Sequence, residues 1–242
     1  MTGHHVVPSA IIARALELFR EHFAVLFPVA LIFSLIQAMA TFALRDTDAA
    51  ILASALSLVT STFFQGVVVT FVRDVEGGSG EEPSVGALLR SVAPVVGPLI
   101  LASLLMGIGI VLGLILLIVP GLFLLTIWAV VAPVVVLERP GIIASFSRSQ
   151  ALVRGFGWPV FSTLLLLFLL LFAAALVGAI VATGVGDVAG SFVLVLFGAL
   201  ASTVVAVGTS VLYFRLLDEE GAAPDPDAGT VPDDDPRWTQ QV

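Results

Sequence analysis

The chain has 242 residues, of which 59% are hydrophobic and 12% charged, with a mean hydropathy of +1.13. A soluble domain is about half apolar and about a quarter charged, so an ordinary globular protein is excluded. Cysteine is absent, which excludes disulfides, thiolate metal sites and cysteine nucleophiles. The net charge of −8 belongs to the C-terminal end: residues 218–242 hold eight acids and Arg237, net −7, whereas residues 1–217 hold nine Arg and ten acids, net −1.

Ser9 is placed to cap a helix running to about His22, with Ile12, Leu16, Phe19 and Phe23 at helical spacing and Arg14, Glu17, Arg20 and Glu21 elsewhere. Six apolar runs follow, at 23–44, 49–72, 91–119, 121–137, 158–183 and 188–217. Each is read as a membrane span, because such runs match a hydrocarbon core about 30 Å thick. The first run follows a polar, helix-patterned segment rather than a short basic stub, so it is expected to remain in the mature chain. Gly77 to Gly80, flanked by Glu76, Glu81 and Glu82, reads as a flexible linker. Residues 83–91 make a second amphipathic segment, with Val85, Leu88 and Leu89 on one side. Between the third and fourth runs, Val119-Pro120-Gly121 predicts a hairpin turn, since proline lacks an N–H and glycine permits a tight reversal. A re-entrant pair of half-helices is the alternative. Residues 142–153 form a third amphipathic segment, with Ile142, Ile143, Phe146 and Leu152 against Ser145, Arg148 and Ser149.

The expected fold is therefore an all-α membrane bundle of six transmembrane helices, arranged as three hairpins, each preceded by a short amphipathic helix at the cytoplasmic interface. Residues 1–22 form the cytoplasmic N-terminal helix, 23–217 the transmembrane domain and 218–242 an acidic, disordered cytoplasmic tail. Nine of the ten Arg fall on one side of this threading and only Arg45 on the other, which by the positive-inside rule puts both termini in the cytoplasm of a cell membrane.

No ionisable residue falls near the middle of a run, which weighs against a proton- or sodium-coupled transporter. Uncharged polar residues do recur there: Ser34, Gln37 and Thr41 on one face of the first run, and Ser54, Ser57, Ser61 and Gln65 on one face of the second. Two readings stay open, a polar groove for a headgroup or solute, and hydrogen bonds across a helix pair worth about 0.6 kcal/mol each. Small residues recur every four positions, as Gly109 and Gly113, Ala174, Gly178 and Ala182, and Gly198, Ser202, Ala206 and Ser210. This spacing lets helix backbones approach closely. The three His (His4, His5 and His22) supply no metal site, and no phosphate loop or nucleophile elbow occurs. Neither enzymatic activity nor a cofactor nor a nucleic-acid partner is expected.

From Pro120 the sequence reads PGLFLLTIWAVVAPVVVLERPGIIASFSRSQALVRGFGWPVF. Over these roughly 40 residues it resembles the membrane-domain family named after glycerophosphoryl diester phosphodiesterases. The matching positions are Pro120, Gly121, Ala132, Pro133, Glu138, Ala144, Ser147 or Ser149, Leu152, Gly155 and Phe156. The family takes its name from members fused to a soluble phosphodiesterase domain, which these residues do not contain, so the resemblance implies fold and location rather than hydrolysis. Glu138 and Arg139 stand where the fourth span should meet the cytoplasm, within reach of Arg148 or Arg154. The expected function is non-catalytic, in membrane organisation or as the membrane subunit of a larger assembly. The expected partners are the lipid bilayer and a membrane protein or a second copy of the chain. The alternative is permease-like movement of an uncharged or amphiphilic solute along the polar faces.

Overall fold

A chain that lies in hydrocarbon must pair its backbone groups internally, and a helix does so within one segment. The computed structural model follows that rule. It describes residues 7–44, 50–77 and 85–222, the side chains of 44, 50–55, 85, 187, 188 and 222 excepted, and among them it contains helices and no strand. The helices are α1 (Pro8–Glu21), α2 (Phe23–Leu44), α3 (Ala50–Glu76), α4 (Val85–Val92), α5 (Val96–Leu116), α6 (Ile118–Ile127), α7 (Val131–Leu137), α8 (Ile142–Val153), α9 (Gly157–Val185) and α10 (Asp187–Ala222). A single 3-10 turn, Ala93–Val95, joins α4 to α5. Six stretches are long and apolar enough to cross a membrane, the third running through α4 and α5 and the fourth through α6 and α7. The expectations for His4, His5, Arg45 to Asp48, Gly78 to Gly80 and residues 223–242 lie outside the described residues.

Burial is uneven along the bundle. The fully covered side chains include Leu18 of α1, Val68 and Phe71 of α3, Val92 of α4, Val134 of α7 and Leu212 of α10. All lie toward the end where most of the Arg are found. Toward the other end, Met39 and Phe42 of α2, Leu116 of α5 and Ile180 of α9 are exposed, as lipid-facing residues must be. Burial is thus concentrated at one end and lipid-facing exposure at the other. Close packing depends on glycine at particular places. A Cβ on Gly66 of α3 would lie 2.7 Å from Val92 of α4, and one on Gly208 of α10 would lie 2.8 Å from Leu167 of α9.

The structure moves several expected features. α1 starts one residue before Ser9, with Val7 at the N-cap and no side-chain cap, because Pro8 occupies the first helical position, where its missing N–H would have been unpaired anyway. Its bundle-facing stripe is Ile11, Ala15 and Leu18, while Leu16 and Phe23 face outward. α8 is turned similarly: Ser145 and Ser149 point into the bundle and Ile143 is 74% exposed. α10 runs through 36 residues to Ala222, so Asp218 to Glu220, expected at the start of the tail, are helical.

The expected turn at Pro120-Gly121 is a correction of greater consequence. The chain reverses at Leu117, whose backbone is extended (φ −163, ψ 145), and Pro120 and Gly121 lie in the first turn of α6. Proline is tolerated there because a first-turn N–H has no intrahelical partner. Gly121 serves a close approach: a Cβ on Gly113 would lie 2.9 Å from the Gly121 Cα. The helix interruption lies further on, at Trp128 to Val130 between α6 and α7. It falls one turn before Pro133, which cannot donate to the Ala129 carbonyl and whose ring crowds it.

Candidate functional site

The Arg-bearing end carries the one extended polar network among the described residues that crosses several helices. Glu138 caps the C-terminus of α7, Arg148 lies on α8, and Tyr213 and Glu220, seven residues apart, share a face of α10. The Arg148 Nε donates to the Glu138 carboxylate at 2.9 and 3.2 Å. Its two terminal nitrogens donate to the Glu220 oxygens at 2.6 and 2.7 Å, the parallel two-bond geometry that only a guanidinium offers. The Tyr213 hydroxyl donates to Glu138 Oε1 at 2.9 Å from a position 2% exposed. The Arg148 pKa is raised above the ordinary arginine value, first by the bond to Glu220 and then by Glu138, with burial opposing both. Of Arg148 and Arg154, both within reach by sequence, Arg148 is the one that meets Glu138, and Glu220 and Tyr213 join them.

Arg139 follows a different course. Its backbone is left-handed (φ 53), which ends α7, and its N–H donates to the Val134 carbonyl at 3.2 Å. Its guanidinium reaches the Val136 carbonyl at 3.3 Å and the Ser91 carbonyl at the end of α4 at 3.4 Å. Arg154, at the C-terminal end of α8, takes no part in the network. A separate ion pair fastens α1: Arg14 donates to Glu17 at 2.9 Å and to Glu76 of α3 at 3.0 Å. The Arg14 pKa is also raised, chiefly by Glu17.

The second polar feature repairs the α6–α7 interruption. A continuous helix would bring the Val131 N–H to the Ile127 carbonyl; here it goes to Trp128 at 3.2 Å. The Ser149 hydroxyl of α8 donates to Ile127 instead, at 2.9 Å. The Trp128 ring lies against Gly109 of α5, where a Cβ would come within 2.6 Å, and meets Phe146 of α8 edge-on at 5.0 Å.

The polar faces of α2 and α3 are not brought together by hydrogen bonds. Thr41 donates to its own helix at the Gln37 carbonyl (2.9 Å) and Ser61 to Leu58 (3.1 Å). Ser34, Gln37, Ser57 and Gln65 are half-buried, and no side-chain bond joins the two rows among the described side chains. Phe33 of α2, 5.7 Å from both Phe63 and Phe64 of α3, fills the contact. His22 stacks edge-on against Phe71 at 5.3 Å, and no group of three His, Asp or Glu able to hold a metal occurs among the described residues.

Sequence reasoning passed over Tyr213, Glu220 and the inward role of Ser149. The available signals were the single tyrosine of the chain and its seven-residue spacing to Glu220. Chemically the network joins one guanidinium to two carboxylates and a phenol, and it fixes α7, α8 and α10 to one another. These features define an all-α helical bundle with six membrane-competent stretches and an ion-paired end. Comparison of the chain with protein-family models, with curated proteins and with solved structures finds no match.

Proposed function

We propose that the protein is a non-catalytic multi-pass protein of the cell membrane, with both termini cytoplasmic, that organises the bilayer or forms the membrane subunit of a larger assembly. The observation that carries this reading is the disposition of charge. Ionisable side chains are missing from the middle of every span, and at the ends Arg14 with Glu76 and Arg148 with Glu138 and Glu220 are engaged in ion pairs that tie helices together. That is the chemistry of a scaffold, since a reaction centre needs a poised acid, base or metal left available to a substrate. The resemblance around Pro120 to Phe156 points the same way, to membrane location without hydrolysis. The orientation rests on the Arg count and on the contacts that bring Arg14, Arg139 and Arg148 to one end.

Gentle purification followed by native mass spectrometry tests the reading. A reproducible protein partner, or a defined shell of lipids, is the expected result. Hydrolysis of a glycerophosphodiester by the purified chain would overturn it. Reporter fusions before Pro8 and after Ala222 test the orientation, with activity expected only from cytoplasmic reporters at both positions.

A further inference from the structure

The turn between α5 and α6 lies at the end of the bundle away from most of the Arg, and its composition is unlike that of its neighbours. From residue 104 to residue 125 there is no polar side chain. Ile115, Leu116, Leu117, Ile118 and Val119 form one aliphatic tip, each 66–78% exposed. The other two connections at that end are polar or small: Arg45-Asp46-Thr47-Asp48, and Thr183 to Asp187 with two glycines. Helix length adds a second observation. From the level of Arg148, which bonds both Glu138 and Glu220, the limb Ile118–Leu137 has 20 residues and the limb Ala189–Gly221 has 33, so at about 1.5 Å per residue the α5–α6 turn lies about 30 Å away and the neighbouring turn about 50 Å away. A hydrocarbon core about 30 Å thick is matched by the shorter figure.

The backbone of the turn is suited to a place with little water. The Leu117 N–H donates to the Gly113 carbonyl at 3.0 Å and the Gly121 N–H to Leu117 at 3.4 Å, and Pro120 has no N–H to satisfy. The remaining first-turn amides, Ile118 and Val119, and the last carbonyls of α5, Leu114 to Leu116, need the ester carbonyls and the water found at the edge of the acyl region. A turn of this kind cannot sit at the bilayer centre, where unpaired backbone groups are excluded, and its side chains do not favour bulk water.

We propose that the α5–α6 turn does not emerge into the far aqueous phase: it is lodged beneath the far headgroups, and lipid acyl chains cover Ile115 to Val119. The hairpin is then a wedge in the far leaflet, shorter than the α9–α10 hairpin beside it. The proposal concerns depth alone and holds whether or not another protein binds elsewhere on the bundle.

The absence of cysteine makes the test direct. Leu117→Cys and Val119→Cys are compared with Thr47→Cys, whose neighbours Arg45, Asp46 and Asp48 require water. In vesicles of both orientations, a charged, impermeant maleimide is expected to label position 47 from one side, and position 117 at least about tenfold more slowly from either side, since a charged reagent is excluded from hydrocarbon. The same variants are then labelled with bimane in detergent and reconstituted with lipids brominated on their acyl chains, which are expected to quench the probe at 117. Labelling of position 117 at the rate of position 47 would overturn the proposal, because the turn would then be aqueous. A probe that is both protected from maleimide and unquenched by brominated chains would also overturn it, in favour of a protein covering the tip. If Leu117→Cys does not fold, Val119→Cys reports on the same tip with the same outcomes.

Discussion

The only tyrosine in the chain, Tyr213, donates its hydroxyl hydrogen to the carboxylate of Glu138, 75 residues away, at 2.9 Å. Glu138 in turn accepts from Arg148, so one carboxylate holds the ends of α7, α8 and α10 together. Truncating a member of such a set costs more than its bond is worth, because a buried partner is left unpaired. Tyr213→Phe should lower stability by about 1 kcal/mol and Glu138→Ala by about 2–3 kcal/mol. The double variant should lose less than the sum of the two, which thermal unfolding in detergent measures.

Glu220 is the more exposed partner of Arg148, with 47% of its side chain open against 27% for Glu138. Screening makes exposed pairs weak, so Glu220→Gln should cost about 0–1 kcal/mol and should matter less as salt is raised. Unfolding midpoints at low and high ionic strength are the measurement.

The pH dependence of this network follows from the direction of the Arg148 shift. A cation whose folded pKa is raised contributes stability that is complete below its unfolded pKa and is lost only as the pH climbs through the folded one. For Arg148 the folded value lies above an ordinary value that is already strongly basic. The stability difference between the wild type and Arg148→Gln should therefore be constant from about pH 7 to pH 10, well below the arginine range. Paired unfolding curves across that window would show a slope if the charge of Arg148 were titrating.

Ser149 supplies the donor that the interrupted α6–α7 helix lacks. Ser149→Ala should cost about 1–3 kcal/mol by leaving the Ile127 carbonyl without that bond. Ser147→Ala, which removes an exposed hydroxyl bonded only to Ala144 of its own helix, should stay within about 0.5 kcal/mol. Equal effects at the two positions would mean that Ser149 does not support the interruption.

Two glycines of the α5–α6 hairpin should respond in opposite ways. Gly121→Ala places a methyl against Leu114 and should destabilise by about 1–3 kcal/mol through overpacking. Gly107→Ala meets nothing within 4 Å and should be neutral, or stabilising by up to about 1 kcal/mol through helix propensity. Calorimetric midpoints of the two variants make the comparison.

The polar faces of α2 and α3 separate the scaffold reading from the permease reading. Gln37→Leu with Gln65→Leu removes two half-buried amides that bond to no other side chain among those described. Folding should be retained, and glycerol flux into proteoliposomes should be unchanged from the wild type. Abolished flux with folding intact would favour a permease.

The all-α class, the six spans and the gathering of Arg at one end were legible in the sequence, because hydrocarbon imposes requirements that composition and length answer directly. A run such as 158–183 has no other way to satisfy both its side chains and its backbone. That Glu138 lay within reach of Arg148 or Arg154 was legible too, while the choice of Arg148 came from the packing of α8. What composition could not decide was which face of each short helix turns inward. In α8 the structure keeps Leu152 buried and Ile142 and Phe146 against the core, but it turns Ile143 outward and Ser145 and Ser149 inward, where the Ser149 hydroxyl meets the open Ile127 carbonyl. The same holds for the reversal at Leu117: Pro120 and Gly121 read locally as a turn, yet both fit a helix start, and the close approach of Gly113 is visible only once α5 and α6 are packed. Tyr213 and Glu220 were unmarked for the same reason. A hydrogen bond 75 residues across is set by the packing of α7, α8 and α10, not by anything local in the chain.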